Sequence, residues 1–98
     1  MFIAPDESFL IVSCWDRPEN IGSRQGHLYI SFRNNEGSWT EPVNMGSEIN
    51  SHAYEFRPYV TPDGKYFFFT SNRDKLGNGN VYWVDARVIE GYKPLESY

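Results

Sequence analysis

The sequence predicts an all-β protein that contains two copies of one antiparallel unit. The stretches 2–13 and 59–73 share one order of features: a short strand, a Pro-Asp pair and a strongly apolar strand. Proline presets φ and aspartate bonds the following backbone, so Pro5-Asp6 and Pro62-Asp63 both indicate tight turns. Few helix signals lie elsewhere in the chain. Repeated antiparallel sheets therefore fit the sequence better than a mixed fold of helices and strands.

The first copy carries four predicted strands and one long loop. The strands are predicted at Phe2–Ala4, Phe9–Ser13, His27–Phe32 and Ser38–Val43. The continuous apolar run of the second strand is typical of burial on both faces. The third strand alternates, which places Leu28, Ile30 and Phe32 on one side. Pro42 indicates that the fourth strand lies at an edge, and the polar stretch from Cys14 to Gly26 is the predicted surface loop.

The second copy has three predicted strands, which follow a polar connector. They lie at Phe56–Thr61, Tyr66–Thr70 and Asn80–Asp85. When the two prolines are aligned, Phe9–Ser13 falls over Tyr66–Thr70 without a gap. Leu28-Tyr-Ile falls over Val81-Tyr-Trp once the first loop is allowed extra residues. The tail Ala86–Gly91 is compatible with one helical turn or with a poor strand, and no outer strand is predicted after it.

Composition and charge exclude several classes of partner. The chain has 98 residues, a net charge of −4 and dispersed Lys and Arg, which disfavours nucleic acid and anionic membrane surfaces. Cys14 is the single cysteine, so an internal disulfide and a cysteine metal cluster are both excluded. The sequence shows no signal peptide and no apolar stretch near the roughly 20 residues of a membrane span. The cytoplasm is therefore the default compartment.

Three motifs of the second copy resemble the repeat of the TolB-like, WD-repeat-like β-propeller family. They are Thr61-Pro-Asp-Gly-Lys65, Phe69-Thr-Ser-Asn-Arg73 and Val81-Tyr-Trp-Val-Asp85. In the first copy Glu7 and Ser8 replace Gly-Lys, and Cys14-Trp15-Asp16 replaces Ser-Asn-Arg. The resemblance covers nearly the whole chain and implies two antiparallel, about four-stranded β-propeller blades. Residues 1–44 would form the first blade, 45–55 a connector and 56–98 a second, incomplete blade.

The resemblance also implies that the two blades need completion. Propellers of this family close a ring of about six or seven blades, and two blades alone expose the apolar sides that would meet their neighbours. We therefore expect self-association into a homo-oligomer, for example a trimer that closes a six-bladed ring, with strand exchange as one way to complete the second blade. The alternative is a fragment of a longer propeller. Members of the family are often periplasmic, which leaves the compartment open.

The histidines and the turn aspartates have a simpler structural interpretation than catalysis or metal binding. His27 and His52 are the only histidines, which is too few ligands for a zinc site. Asp6 and Asp63 each have a role in a turn, and this role outweighs that of a paired catalytic carboxylate.

The loop Asn72–Gly77 superficially resembles a calcium loop. Leu76 occupies a position that needs an oxygen ligand, so a polar turn is the better interpretation. Cys14 has no histidine nearby in the sequence and is expected to pack as a small apolar residue at a strand end. We therefore predict no catalytic residue, no metal site and no cofactor.

Four residues are the candidates for ligand binding: Trp15, Tyr54, Arg57 and Arg73. Trp15 and Tyr54 lie in predicted loops, where aromatic rings form a binding platform. Arg57 lies near the start of a predicted strand and Arg73 follows one, and the structural alternative for each is an ion pair or a bond to backbone carbonyls. Trp39 is a further aromatic candidate, whereas Trp83 is predicted to lie in the core.

The sequence favours a non-catalytic module that binds a protein or a small ligand through loops on a rigid β scaffold and that assembles with itself. The alternative is an accessory propeller of a peptidase or glycan-processing hydrolase, with an active site formed together with another chain or domain. A truncated propeller without an independent function is a third interpretation. A hydrolase needs a nucleophile and a base, or two carboxylates, to converge in one pocket. The sequence does not assemble such a set.

Overall fold

Two antiparallel sheets form the framework of the protein. The computed structural model describes residues 1–15, 26–51, 53–73 and 79–93. In chain order the elements are β1 (Phe2–Ile3), β2 (Phe9–Cys14), β3 (His27–Phe32), β4 (Val43–Asn44), β5 (Glu55–Val60), β6 (Tyr66–Ser71), β7 (Asn80–Asp85) and a 3-10 helix, η1 (Ala86–Tyr92). The sheets have the orders β1-β2-β3-β4 and β5-β6-β7. Consecutive strands pair in both, and the all-β prediction is confirmed.

The two Pro-Asp turns have the same backbone geometry. Asp6 and Asp63 each accept a hydrogen bond, 3.0 Å long, from the backbone N–H two residues later. The residue after each aspartate has a positive φ, 62° at Glu7 and 74° at Gly64. Glycine adopts this conformation without strain, whereas a residue with a side chain needs the surrounding turn to hold it there. The aspartate, which both turns share, therefore determines their shape.

The strand β3 is the buried centre of the first sheet. All six of its residues are buried, and it pairs with β2 along its whole length, from Cys14 opposite His27 to Phe9 opposite Phe32. Its other edge pairs with the short β4. Asn50, from the segment that joins the two sheets, continues this edge, since its side-chain amide forms two hydrogen bonds of 2.8 and 3.0 Å with the backbone of Leu28.

The outer strand of the first sheet is shorter than the sequence predicts. We predicted a strand over Ser38–Val43, but β4 contains only Val43 and Asn44. Before it, the pairing is reduced to an isolated bridge between Arg33 and Trp39. Pro42 has no N–H to give to the ladder, so continuous pairing cannot extend across it.

A β-bulge interrupts the pairing of β5 with β6. Phe56 lies opposite Thr70 and Tyr59 lies opposite Phe68, so β5 carries one extra residue between these pairs. Arg57, within the bulge, has a φ of 54°. By contrast, β6 and β7 pair without interruption along their full length. Bulges re-aim side chains locally, and this one lies beside the aromatic residues described below.

One apolar core lies between the sheets. Its buried members are Ile11, Leu28, Ile30 and Phe32 from the first sheet, Val60, Phe67 and Phe69 from the second, Met45 and Ile49 from the joining segment, and Ala86 and Ile89 from η1. Within β6, Phe67 and Phe69 are buried, whereas the residues that alternate with them are more exposed: Tyr66 is 41% exposed and Phe68 is half-buried. This follows the period of two along a strand. The second sheet thus has one side in the core and one side open.

Two predictions of burial are wrong. We predicted Trp83 in the core, but it is 58% exposed, because Tyr82 and Val84 are the residues of β7 that pack against the core. We also expected the second strand to be buried on both faces, yet its Leu10 and Val12 are only half-buried. An apolar run does not tell a strand with two covered sides from a strand with one open apolar side.

The sequence allowed either a helical turn or a poor strand in the tail, and the structure has the helical turn. The helix η1 begins after Asp85, whose side chain accepts a hydrogen bond of 2.9 Å from the backbone N–H of Arg87. Ala86 and Ile89 are buried against the core. At its end the hydroxyl of Tyr92 donates to the backbone carbonyl of Met45. Up to residue 93, where the described part of the chain ends, the tail therefore covers the core and adds no strand to the second sheet.

The turn aspartates predict a loss of stability in acid. Hydrogen bonds from the Thr61 hydroxyl and from the backbone N–H of Lys65 hold the pKa of Asp63 below its usual value of 3.8. A carboxyl whose pKa is lowered in the folded state stabilises the fold fully at pH values above its usual pKa. This contribution is lost as the pH falls through the lowered pKa of the folded state. Stability should therefore fall below about pH 5, as measured by urea unfolding at a series of pH values.

The substitution Asp63→Asn removes this titration and should make the pH dependence shallower. The pKa of Asp6 is also lowered, mainly by hydrogen bonds from Ser8, so Asp6→Asn should have a similar effect and the double variant a larger one. An unchanged acid slope in the double variant would show that the turns do not couple folding to these protons.

Candidate functional site

A row of three aromatic rings and one arginine, exposed at its two ends, lies where the two sheets meet. We call Trp15, Tyr54, Phe56 and Arg57 the aromatic row. The ring centroids of Trp15 and Tyr54 lie 4.8 Å apart, and those of Tyr54 and Phe56 lie 4.4 Å apart with an angle of 17° between the ring planes. The guanidinium carbon of Arg57 lies 5.5 Å from the centroid of Phe56. Three of the four predicted binding residues are thus in one place.

Strand alternation and the bulge explain why these side chains line up. Tyr54 and Phe56 flank Glu55 at the start of β5, so both point to the side opposite to the buried Glu55. Arg57 directly follows Phe56 and would point away from it in a regular strand. Its positive φ of 54° in the bulge turns it back over the ring.

Gly26 makes room for the contact between the sheets at this point. A Cβ atom at Gly26 would lie 2.4 Å from Oγ of Ser13, 2.9 Å from Cε1 of Tyr54 and 3.0 Å from Cε2 of Trp15. The backbone of Gly26 also accepts a hydrogen bond of 2.9 Å from the N–H of Glu55. Only glycine lets the chain pass this close to both rings.

The aromatic row offers two kinds of contact to a ligand. Trp15 is 53% exposed and Arg57 is exposed, whereas Tyr54 and Phe56 are half-buried and use their facing surfaces on each other. The accessible parts are therefore the outer surface of one indole and one guanidinium group. An indole binds flat apolar groups, and a guanidinium binds carboxylates through paired hydrogen bonds.

The fourth candidate, Arg73, lies in a buried polar cluster and not in the aromatic row. Its Nε donates a hydrogen bond of 3.0 Å to Oγ of Ser71, and its guanidinium lies 4.8 Å from the ring centroid of Tyr82. The same group lies 3.7 Å from Oε2 of Glu55 and also donates to the backbone carbonyl of Ile49. These contacts match the structural alternative that the sequence left open for Arg73.

Glu55 is the centre of that cluster and is completely buried. Its Oε1 lies 2.8 Å from Nδ1 of His27, and its Oε2 accepts hydrogen bonds from the hydroxyls of Ser51 and of Ser71, the latter at 2.7 Å. Its backbone carbonyl accepts a hydrogen bond of 3.0 Å from Ser13. Sequence reasoning missed this arrangement, because His27 and Glu55 are distant along the chain and belong to no motif, although Ser71 and Arg73 lie in one of the repeat motifs.

The geometry of this cluster supports a structural role. His27 and Glu55 are both 0% exposed, so a substrate does not reach the imidazole or the carboxylate. The side chains come from β3, β5, β6 and the segment that joins the sheets. The cluster therefore connects the two sheets through hydrogen bonds to one buried carboxylate. A charged group that is removed from water requires such hydrogen bonds.

The other residues considered for chemistry are dispersed. Asp6 and Asp63 lie in separate turns and are each hydrogen-bonded within their own turn. An open cleft of about 270 Å³ between the turns is lined by Asp6 but not by Asp63. His52 and most of the loop Asn72–Gly77, which we interpreted as a polar turn, lie outside the described residues. Within the described part of the chain, no three His, Cys, Asp or Glu side chains are grouped as for a metal ion.

Comparison of the chain with protein families, curated proteins and solved structures finds no match. The resemblance to the TolB-like propeller repeat therefore stays a prediction that the comparisons do not test. No helix among the described residues is long and apolar enough to cross a membrane.

The close approach at Gly26 predicts the effect of adding one methyl group. Gly26→Ala should destabilise the fold by about 2 kcal/mol, the usual cost of overpacking, and should displace Trp15 from Tyr54. In a background with Trp39→Phe and Trp83→Phe, the emission of Trp15 should shift to longer wavelength. Gly91→Ala is the matched control, since a Cβ there meets nothing within 4 Å. Equal effects of the two substitutions would contradict the packing argument.

Because Glu55 is buried, we expect Glu→Gln at this position to lower the free energy of unfolding much more than Glu→Gln at an exposed position. Glu55→Gln removes the charge that His27, Ser51, Ser71 and Arg73 surround, and should lower the free energy of unfolding by about 3 kcal/mol. Glu7→Gln, in an exposed pair with Arg33, should change it by less than about 1 kcal/mol. Urea unfolding measures both values. A loss for Glu55→Gln as small as that for Glu7→Gln would show that the cluster does not hold the sheets together.

Proposed function

We propose that the chain is a non-catalytic module of the β-propeller type, whose two sheets are successive blades and whose aromatic row binds a segment of another protein. In this proposal residues 1–44 form the first blade and residues 56–98 the second. The chain also assembles with itself into a homo-oligomer, for which a trimer with six blades is the simplest ring.

The repetition of one unit supports the assignment of the sheets as blades. Both sheets begin with a strand, a Pro-Asp turn with the same aspartate hydrogen bond and positive φ, and an apolar strand of six residues. Both continue with a third antiparallel strand. Stacked sheets of this kind, joined in sequence, are the unit from which propellers are built.

The observation that carries the binding proposal is the exposed indole of Trp15 and the exposed guanidinium of Arg57 at the two ends of one packed row. Aromatic and arginine side chains dominate the energy of protein recognition. In the aromatic row, packing on Tyr54 and Phe56 fixes both groups before a ligand arrives, so little side-chain entropy is lost on binding. The fitting ligand is a peptide segment that carries both a carboxylate and an aromatic or other flat apolar side chain, spaced to reach the two ends of the row.

Selection from a phage-displayed library of random peptides tests this proposal. Peptides that combine Asp or Glu with an aromatic residue should be enriched on the wild-type protein. Calorimetry on a synthetic copy of an enriched peptide should show an affinity loss of at least about tenfold for Trp15→Ala and for Arg57→Ala, which corresponds to about 1.4 kcal/mol or more.

The matched controls are Trp39→Ala and Arg87→Ala, which remove an exposed tryptophan and an exposed arginine outside the aromatic row. Both should bind the peptide as the wild type does. If the enriched peptides bind the Trp15 and Arg57 variants with the affinity of the wild type, the binding surface lies elsewhere on the molecule. If no peptide is enriched from the library, peptide binding is not the function.

A further inference from the structure

The open side of the second sheet is a continuous apolar surface. We call Tyr59, Tyr66, Phe68, Val81 and Trp83 the outer face. Tyr59 is 48% exposed, Tyr66 41%, Val81 67% and Trp83 58%, and Phe68 is half-buried. Phe68 pairs with Tyr59 on one side and with Trp83 on the other, so these side chains form one patch. Large exposed apolar patches mark interaction surfaces.

The positions in the first sheet that correspond to the outer face are buried. In the alignment on the two prolines, Ile11 corresponds to Phe68, Leu28 to Val81 and Ile30 to Trp83. Ile11, Leu28 and Ile30 are all 0% exposed, and they belong to the core that includes Phe67 and Phe69 of the second sheet. The outer face therefore corresponds to the surface that the first sheet packs against the second. Within the described part of a single chain, no third sheet packs against the outer face in the same way.

The first sheet carries the complementary half of this contact on its side away from the core, along β1 and β2; on this side the β3 residues Tyr29 and Ser31 are buried. Leu10 corresponds to Phe67 and Val12 to Phe69, the two aromatic residues that the second sheet places in the core. Leu10 and Val12 are only half-buried, and Ile3, which pairs with Leu10, is 47% exposed. Each chain therefore presents both complementary halves of the contact that already joins its own two sheets.

We propose that the outer face packs against Ile3, Leu10 and Val12 of a second copy of this chain, which repeats between molecules the contact that joins the two sheets within one molecule. This interface rests on the proposed arrangement of the sheets as blades and names the surfaces that assemble. The contact joins two different surfaces, so it is head-to-tail and leads to a closed ring or an open filament. A second copy is the fitting partner because the same chain carries the complementary surface.

Matched substitutions at two exposed valines test the interface. In sedimentation velocity, the wild type should have a mass of at least two chains, each of 11.4 kDa. Val81→Glu, on the outer face, should be a monomer, whereas Val43→Glu, on β4 and outside both surfaces, should sediment as the wild type does. Trp83→Glu is a second outer-face variant. Circular dichroism and thermal melts establish that each variant is folded before its mass is interpreted.

Mixing variants tests the head-to-tail geometry. Ile3→Asp should block the other half of the interface and should also be a monomer, with Val12→Asn as a second variant in case Ile3→Asp does not fold. A mixture of the Val81→Glu and Ile3→Asp proteins retains one intact surface of each kind. It should therefore form a heterodimer of twice the monomer mass, although neither variant associates alone.

Three results would overturn the interface. The first is a monomeric wild type at protein concentrations of about 100 μM, which is above the dissociation constant of most specific complexes. The second is an Ile3→Asp variant that still dimerises, since this would show that two outer faces pack against each other. The third is a mixture that does not associate. None of these measurements uses a peptide, so the interface can fail while peptide binding at the aromatic row stands.

Discussion

The buried carboxylate of Glu55 is the constraint on which the rest of the structure depends. A carboxylate that is removed from water needs hydrogen-bond donors around it, and here donors from three strands or segments surround it: Ser51, Ser71 and Arg73, together with the imidazole of His27. Satisfying this one group brings the start of β3, the start of β5 and the end of β6 together. The relative position of the two sheets follows from it.

The same constraint creates the aromatic row. Because Glu55 points inward, the adjacent Tyr54 and Phe56 point outward on one side, and their rings stack at 4.4 Å. The bulge then adds Arg57 to that side. On the other sheet Gly26 brings the chain close enough for Trp15 to reach Tyr54. The site is therefore built on strand residues fixed by a buried network, which gives it a defined geometry before any ligand binds.

Local signals in the sequence predicted much of the fold but little of the site. The Pro-Asp turns and the strands β3 and β7 could be read from short stretches, because turn chemistry and apolar runs act over a few residues. The pairing of His27 with Glu55 could not be read, since the two lie far apart in sequence and the adjoining residues form no motif. The burial of Trp83 was predicted wrongly for a related reason. Its position in the strand was right, but which side of the sheet is covered depends on how the two sheets pack.

The outer face and the aromatic row lie on one side of the second sheet, which connects the two proposals. Phe56 pairs with Thr70, two residues along β6 from Phe68 and on the same side of the sheet. A second copy seated on the outer face would therefore border the aromatic row and form one wall of its binding surface. A ligand that touched both copies would bind the assembled form more tightly than the monomer, and by linkage it would also strengthen the assembly. The unused apolar side of the second sheet and the fixed row of rings at its end would then serve one binding event.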